Sequence, residues 1–391
     1  MPKKWDKFRH DFPITKSFTY LANAAITPIP LPVYDEISKF YQGAINHGGS
    51  KWNEWVNAME KTRQLYSKFI GADSKDEIAF THSTSEGMNI IAHMLSSKGL
   101  VISNELEFPS TNLPWVNKDG RNIRFLKPRD DGTIPIKDIT CILDKFDDYN
   151  KRNQIKTILT SHVQFSNGLR QDLKELGRLT KQRGLHLVVN ATQSLGALCF
   201  DVKKYNIDFM VSNGHKWMLS SFGIGTMFIK EKYLRDKDYL KPTFFSHSGQ
   251  KEKENFENNT VLNMSRSATR FELGTPNFQN IIALNSAINY ILKIGMREIE
   301  KRIFSLTDYL IDNLIKMNIQ ILSPVKYKKY RSGIILFKPM KENPSKVVKL
   351  LEKNDKIIVS ARGKGIRVSP HFYNNEEDID KLMLGLKNVL Q

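Results

Sequence analysis

Seven short apolar runs alternate with helical patterns between about residues 76 and 230, and this alternation constrains the fold more than any other feature of the chain. The runs are Ile78–Phe80, Leu100–Ile102, Ile123–Leu126, Thr157–Thr160, Leu187–Val189, Phe209–Val211 and Thr226–Ile229. Each is four residues or shorter and has no polar alternation, which predicts strands buried on both faces. Helical spacing between them, as over Asp172–Arg183, predicts an α/β fold with a mainly parallel seven-stranded sheet. A long apolar-faced helix is predicted over 278–294, linking two domains. Beyond it the pattern changes. Strands at Gly333–Phe337, Ile357–Ser360 and Gly365–Val368, a helix over 345–353 and a closing helix from Asn375 predict a smaller α+β domain. The expected division is a large domain over 16–285 and a small one over 286–391, joined by residues 1–15. The polar segment Ser246–Thr269 reads as a loop, either mobile or used at a subunit contact.

Charge narrows the partners. The net charge of +18 suits a nucleic-acid or anionic membrane surface, but the cations are spread along the chain. The densest runs, Lys151–Arg152 and Lys326–Arg331, lie beside predicted loops and read as solvated faces. The expectation is therefore no nucleic-acid partner, although such a surface attracts phosphorylated or carboxylated ligands. No apolar run is long enough to span a bilayer, and the N-terminus lacks the apolar stretch of a signal peptide. Cys141 and Cys199 have neither metal-ligand spacing nor a disulfide framework, so a cytoplasmic location and no metal are expected.

The chemistry centres on Lys216, in Ser212-Asn213-Gly214-His215-Lys216-Trp217. The preceding apolar run ends in Val188-Val189-Asn190-Ala191-Thr192-Gln193. A polar residue at one strand tip and a lysine just after the next strand is the layout of a pyridoxal phosphate (PLP) site. There the lysine amine forms a Schiff base with the cofactor aldehyde, and the tip residue faces the pyridine nitrogen. Upstream, Thr81-His82-Ser83-Thr84-Ser85-Glu86-Gly87 passes from a strand into a helix and offers N–H and hydroxyl donors to a phosphate, or a plain helix cap. Glu105-Leu106-Glu107-Phe108-Pro109-Ser110, Arg270-Phe271-Glu272-Leu273-Gly274-Thr275-Pro276 and Gly365-Ile366-Arg367-Val368-Ser369-Pro370 follow in that order.

From about Tyr20 to Tyr373 these ordered motifs resemble the class V aminotransferase family of fold-type I PLP enzymes, which includes isopenicillin-N epimerase-like proteins, kynureninase, cysteine desulfurases and selenocysteine lyases. The resemblance implies the PLP-transferase fold, with Lys216 as the catalytic lysine. It implies Thr84, Ser85, Asn213 and His215 at the phosphate and Phe108 stacked on the pyridine ring. Gln193 is implied at the phenolic oxygen and Asn190 at the ring nitrogen. Thr275 is implied to reach the phosphate of a neighbouring subunit, and hence a homodimer with shared sites. Ser161–Gly168 is implied on the substrate side. Arg367 is implied to clamp the substrate α-carboxylate through its planar fork, while Arg362 is either a second anion contact or a surface charge.

Two departures limit the implied activity. Asn190 stands where the family has an aspartate, and a neutral amide cannot hold the ring nitrogen protonated by charge. Cysteine desulfurases carry a nucleophilic cysteine in the loop before the carboxylate arginine, and this chain has none after Cys199. The expectation is a PLP enzyme acting on an α-amino acid, an aminotransferase by resemblance. The alternatives are a β-eliminating lyase without a persulfide cysteine and a catalytically weakened binding protein.

Overall fold

The computed structural model describes residues 5–147, 154–236, 239–252, 257 and 260–390. The basic pair Lys151–Arg152 lies outside them. Twelve strands occur among the described residues: β1 Thr19–Tyr20, β2 Ile78–Thr81, β3 Leu100–Asn104, β4 Ile123–Leu126, β5 Ile155–Ser161, β6 His186–Asn190, β7 Phe209–Asn213, β8 Gly225–Ile229, β9 Ile335–Phe337, β10 Ile357–Ile358, β11 Ser360–Arg362 and β12 Gly365–Val368.

Seven of them form one sheet in the order β2-β8-β7-β6-β5-β3-β4. The β7-β6-β5-β3-β4 pairs are parallel; β8 is antiparallel to both its neighbours, so it alone runs the other way. The uninterrupted apolar character of these strands has a direct cause. Leu187 and Val189 of β6 enter one core while Val188 enters a second core on the opposite face. Met210 of β7 divides from Phe209 and Val211 in the same way, as Phe228 of β8 does from Met227 and Ile229. With helices on both faces, neither side of the strand reaches water, and period-two polarity has no reason to appear.

Helix Phe278–Ile294 sits in the first of these cores through Phe278, Ile281, Leu284, Ile288 and Ile291. The next helix, Met296–Lys316, changes allegiance along its length: Ile299 and Ile303 remain in that core, whereas Leu306, Leu310 and Leu314 join a smaller one. The expected boundary at 285/286 therefore falls inside a helix of the larger core, and the packing changes between Ile303 and Leu306. The smaller core is completed by Ile335 and Phe337, Val347 and Leu351, Ile366 and Val368, and Ile379, Leu382 and Leu386. Its sheet is β11-β12-β9. The amino-terminal segment bridges the two cores: Phe8 and Phe12 lie in the larger one, and Arg9 reaches the last helix, which packs in the smaller. Phe12 stacks on Tyr373 at 3.9 Å, and Arg9 forms a two-bonded pair with Asp378 at 2.8 and 2.9 Å.

The strand expected over Ile357–Ser360 is two strands. Ile357 and Ile358 pair in parallel with β1, and the chain then turns so that Ser360–Arg362 pairs antiparallel with β12. The last helix, Glu376–Leu390, is capped by Asn375, whose Oδ1 accepts from Asp378 N at 3.0 Å. In the segment expected as a loop over Ser246–Thr269, the described residues include a short turn at His247–Gly249 and a bridge between Gln250 and Met264.

Candidate active site

Because six strands of the large sheet run one way, the carboxyl ends of β2, β3, β5, β6 and β7 open on one edge, where ligands of open α/β sheets bind. Asn190 ends β6, Ser161 ends β5 and Asn213 ends β7. A cavity of about 170 Å³ lies there. Its walls include Thr84, Ser85, Phe108, Asn190, Gln193, Asn213, His215 and Lys216, eight residues expected from the sequence at positions from 84 to 216. Ser83, Ser110, Ser161, Phe165 and Thr192 complete it.

One end is an anion seat. Helix Thr84–Leu95 begins at the cavity, and the capping is done by Ser83, whose Oγ accepts from Glu86 N at 3.1 Å. Thr84 and Ser85 are thus left as first-turn residues at the positive helix end. The Thr84 hydroxyl meets that of Thr192 at 2.9 Å. Asn213 has a buried Oδ1 with no partner, and His215 stacks on Phe222 with ring centroids 5.2 Å apart. Burial, then the Lys216 charge, lowers His215 to about 4, so at neutral pH its imidazole is uncharged.

The centre is walled by Phe108 and Asn190. Phe108 is 42% exposed, which sets it apart from a core aromatic; it lies edge-on to Phe165 at 5.0 Å, and Lys216 Nζ is 5.6 Å from its ring centroid. Asn190 is held twice: Thr192 N donates to its Oδ1 at 3.0 Å, and its Nδ2 donates to Thr111 Oγ1 at 2.9 Å. A backbone N–H can only donate, so this contact fixes which end of the amide is oxygen. Gln193 accepts from Trp217 Nε1 and donates to Ala24 O, each at 2.9 Å.

Lys216 lies two residues after Gly214, where an added Cβ would lie 2.5 Å from Ile224 Cγ2; glycine lets the chain approach the residue that leads into β8 this closely. Burial, then Arg367, then Arg362 bring the Lys216 amine down to about 8. A lysine so lowered has a substantial neutral, nucleophilic fraction near neutral pH.

Arg362 and Arg367 do not wall the cavity but stand beside it on the β11–β12 hairpin. Arg367 is 1% exposed, and its Nη1 donates to Phe165 O at 2.7 Å. Its Nε and Nη2 are buried without a partner. Burial, then Arg362, pulls this guanidinium below its usual range.

Other residues singled out in the sequence lie partly or wholly outside this cavity. Thr275 is exposed and lies in a separate cavity with Glu86, Ser248 and Gly274. Of Ser161–Gly168, Ser161 and Phe165 face the site, whereas His162 turns away between Phe200 and Tyr205. Its burial lowers it to about 3. The segment before Arg367, where a desulfurase needs a cysteine loop, is the two-residue turn Gly363–Lys364, with Arg362 paired to Gly365. Cys141 is exposed on helix Ile136–Asp147. Cys199 is pushed up to about 12, by burial and then by Glu300.

Glu107 escaped the sequence reading. It is buried and accepts from Ser161 N and Gln164 Nε2, each at 2.6 Å, from Asn104 Nδ2 at 3.0 Å and from the Ser161 hydroxyl. It ties the turn bearing Phe108 to the loop whose Phe165 carbonyl holds Arg367. Its only advance signal is its place one residue before Phe108.

A lysine of lowered pKa, a helix-end anion seat, an aromatic wall and an amide at a strand tip together fit a phosphorylated pyridine aldehyde. The class V aminotransferase profile matches residues 19–382, and the chain belongs to that family of PLP-dependent enzymes. Among its relatives, a probable cysteine desulfurase of Pyrococcus abyssi is 27% identical over 98% of this chain and 97% of its own length. An uncharacterized aminotransferase of Bacillus subtilis, YcbU, is 25% identical over 96% of this chain and 95% of its own. The apo cysteine desulfurase of Thermococcus onnurineus NA1 superposes with a TM-score of 0.85 at 25% identity, covering 98% of this chain and 97% of that one.

Proposed function

We propose that this enzyme catalyses β-elimination on an α-amino acid, with Lys216 carrying the cofactor and moving the α-proton. One observation carries the reading: Lys216, the Phe108 wall and the neutral Asn190 line one cavity, beside two arginines that no carboxylate among the described residues pairs with. Bound there, PLP supplies an electron sink for the substrate α-carbon. Thr84, Ser85, Asn213 and His215 would hold its phosphate, Phe108 would cover its ring, and Gln193 and Asn190 would address its phenolic oxygen and ring nitrogen. The free Nε and Nη2 edge of Arg367 takes the α-carboxylate in two parallel bonds. The α-proton passes to Lys216, the leaving group departs with its bonding pair from Cβ, and the released enamine hydrolyses to a 2-oxo acid and ammonium.

Asn190 supports elimination over transamination. A neutral partner gives the ring nitrogen no charge to hold its proton, and a reaction that expels a good leaving group needs the sink least. Transamination, the outcome expected from family resemblance and the name of one relative, remains the second reading. The two-residue turn Gly363–Lys364 and the inert setting of Cys199 argue against the persulfide route of the relatives named desulfurases.

The protein is read as a homodimer, because Thr275 is exposed and away from Lys216 of its own chain and serves a site only from a second copy. A cytoplasmic location suits its two unpaired thiols; no helix among the described residues is long and apolar enough to cross a membrane. Borohydride reduction of the holoenzyme followed by peptide mapping is expected to place the cofactor on Lys216. β-Substituted amino acids are expected to yield equal ammonium and 2-oxo acid. Oxo acid without ammonium establishes transamination instead, and turnover of no amino acid leaves a binding protein.

A further inference from the structure

The hairpin beside the site holds more positive charge than one α-carboxylate can neutralise. Ser360 pairs with Arg367 and Arg362 with Gly365, so residues 360, 362, 365 and 367 share one face of the ribbon. Arg362 and Arg367 are therefore diagonal neighbours on that face, about 7–8 Å apart at their Cα atoms, within reach of long side chains. The residue opposite Arg362 is Gly365, which puts no side chain of its own on this face. A side chain is barred there: its Cβ would lie 2.8 Å from Phe337 O. The Gly363–Lys364 turn, with Gly363 at φ 54°, keeps the ribbon tight and both side chains in register.

The two guanidiniums offer different things. Arg367 has given Nη1 to Phe165 O, and its Nε and Nη2 form one buried edge that a single carboxylate fills completely. Arg362 gives Nη1 only to the carbonyl of its own neighbour, Ala361, at 2.8 Å. Burial lowers it, so its charge is also carried at a cost. Its charge reaches both Lys216 and Arg367. Once an α-carboxylate sits on Arg367, a second cation remains beside it, partly buried and without a carboxylate partner among the described residues. A substrate with an uncharged side chain leaves that charge uncompensated; one with a second anion neutralises it.

We propose that Arg362 is a specificity residue that selects amino acids with a second anionic group on the side chain: a carboxylate, or a sulfur or phosphorus oxyanion of similar reach. This rests on the reading of Arg367 as the α-carboxylate clamp of an amino-acid enzyme.

The test uses the holoenzyme and two readouts. Thermal unfolding is followed with succinate and glutarate against butyrate at matched ionic strength. The change in cofactor absorption is titrated with L-aspartate and L-glutamate against L-alanine and L-norvaline. The dicarboxylates are expected to raise Tm more than butyrate, and the acidic amino acids to bind about tenfold or more tightly than the neutral ones. Arg362→Gln is expected to collapse both preferences, and Arg362→Lys to restore part of them. Binding of both classes without preference overturns the proposal alone, as does an Arg362→Gln variant that weakens both in proportion, which would place Arg362 on the α-carboxylate. No absorption response to any amino acid overturns the amino-acid reading together with this one.

Discussion

Arg63 and Arg367 are each 1% exposed, and the difference between them separates the part of the molecule that is finished from the part we read as taking a ligand. Arg63, on helix Trp52–Ile70 under the large sheet, uses every edge of its guanidinium. Glu272 takes two bonds at 2.5 and 3.2 Å, Glu60 one at 3.2 Å and the Ile78 carbonyl one at 2.9 Å. Arg367 has one carbonyl and two buried N–H groups without partners. Burying an arginine is expensive unless its donors are satisfied. Where the protein supplies the carboxylate itself, the pair is architecture; where it supplies none among the described residues, the unpaired donors support the proposed role of Arg367 as an anion contact.

The largest expected effect breaks the finished side. Glu272→Ala leaves the buried Arg63 with only its Glu60 bond and the Ile78 carbonyl, and also strips an acceptor from Phe80 N, so stability is expected to fall by about 3 kcal/mol in denaturant unfolding. Arg367→Met is expected to behave in the opposite way. It removes a buried charge with no carboxylate partner, so stability stays level or rises, while amino-acid affinity drops by about 1.5–3 kcal/mol in an absorption titration. Equal loss of stability in both variants would mean that the two arginines play the same structural part.

A smaller effect sharpens the comparison at Lys216. Its amine is lowered by burial, then by Arg367 and Arg362. Only the neutral amine attacks the cofactor aldehyde, so PLP uptake by apoenzyme is expected to rise with pH through a midpoint near 8. Removing the Arg367 charge relieves repulsion of the ammonium form, which raises the lysine pKa and moves that midpoint to higher pH. A midpoint unchanged in Arg367→Met would show that burial alone sets it.

The same contrast explains what could be read in the residues beforehand. Lys216, Asn190 and Thr84 end or follow apolar runs, so strand prediction alone brings them to one sheet edge. Thr111 and Thr192, which orient Asn190 and Thr84, had no such signal, and neither did Glu107; the contacts that matter span 53 to 108 residues, apart from the Thr192 N–H two residues from Asn190 and the Asn104 amide three residues from Glu107. The break at Val359 was also invisible, because Ile357–Val359 is apolar and β-branched throughout and only pairing with β1 and then with β12 divides the stretch. That division is what aims Arg362. As a residue in a turn-rich stretch it reads either as an anion contact or as a surface charge; its place diagonal to Arg367 favours the first.

The smallest effect concerns Asn190, where the finished and waiting parts meet. Its amide is fully oriented by the protein, with Thr192 N donating to Oδ1 and Nδ2 donating to Thr111 Oγ1, yet its family position faces a ring the protein does not supply. Asn190→Asp keeps the shape and replaces the Nδ2 donor with an acceptor. The Thr111 hydroxyl can rotate and donate in return, and Thr192 N still donates to the other oxygen, so the new carboxylate is hydrogen-bonded and folding is expected to survive. Its charge then favours a protonated ring nitrogen, strengthening the sink. Exchange of the substrate α-proton with solvent is expected to quicken by on the order of tenfold, the equivalent of about one pKa unit of stabilisation. The products of prolonged incubation are expected to shift from ammonium towards transamination. Unchanged exchange in a well-folded variant would show that Asn190 does not address the ring. Slower exchange would make the neutral amide a tuned part of the reaction, and would bind the elimination reading to this one residue more tightly than its place at a strand tip can.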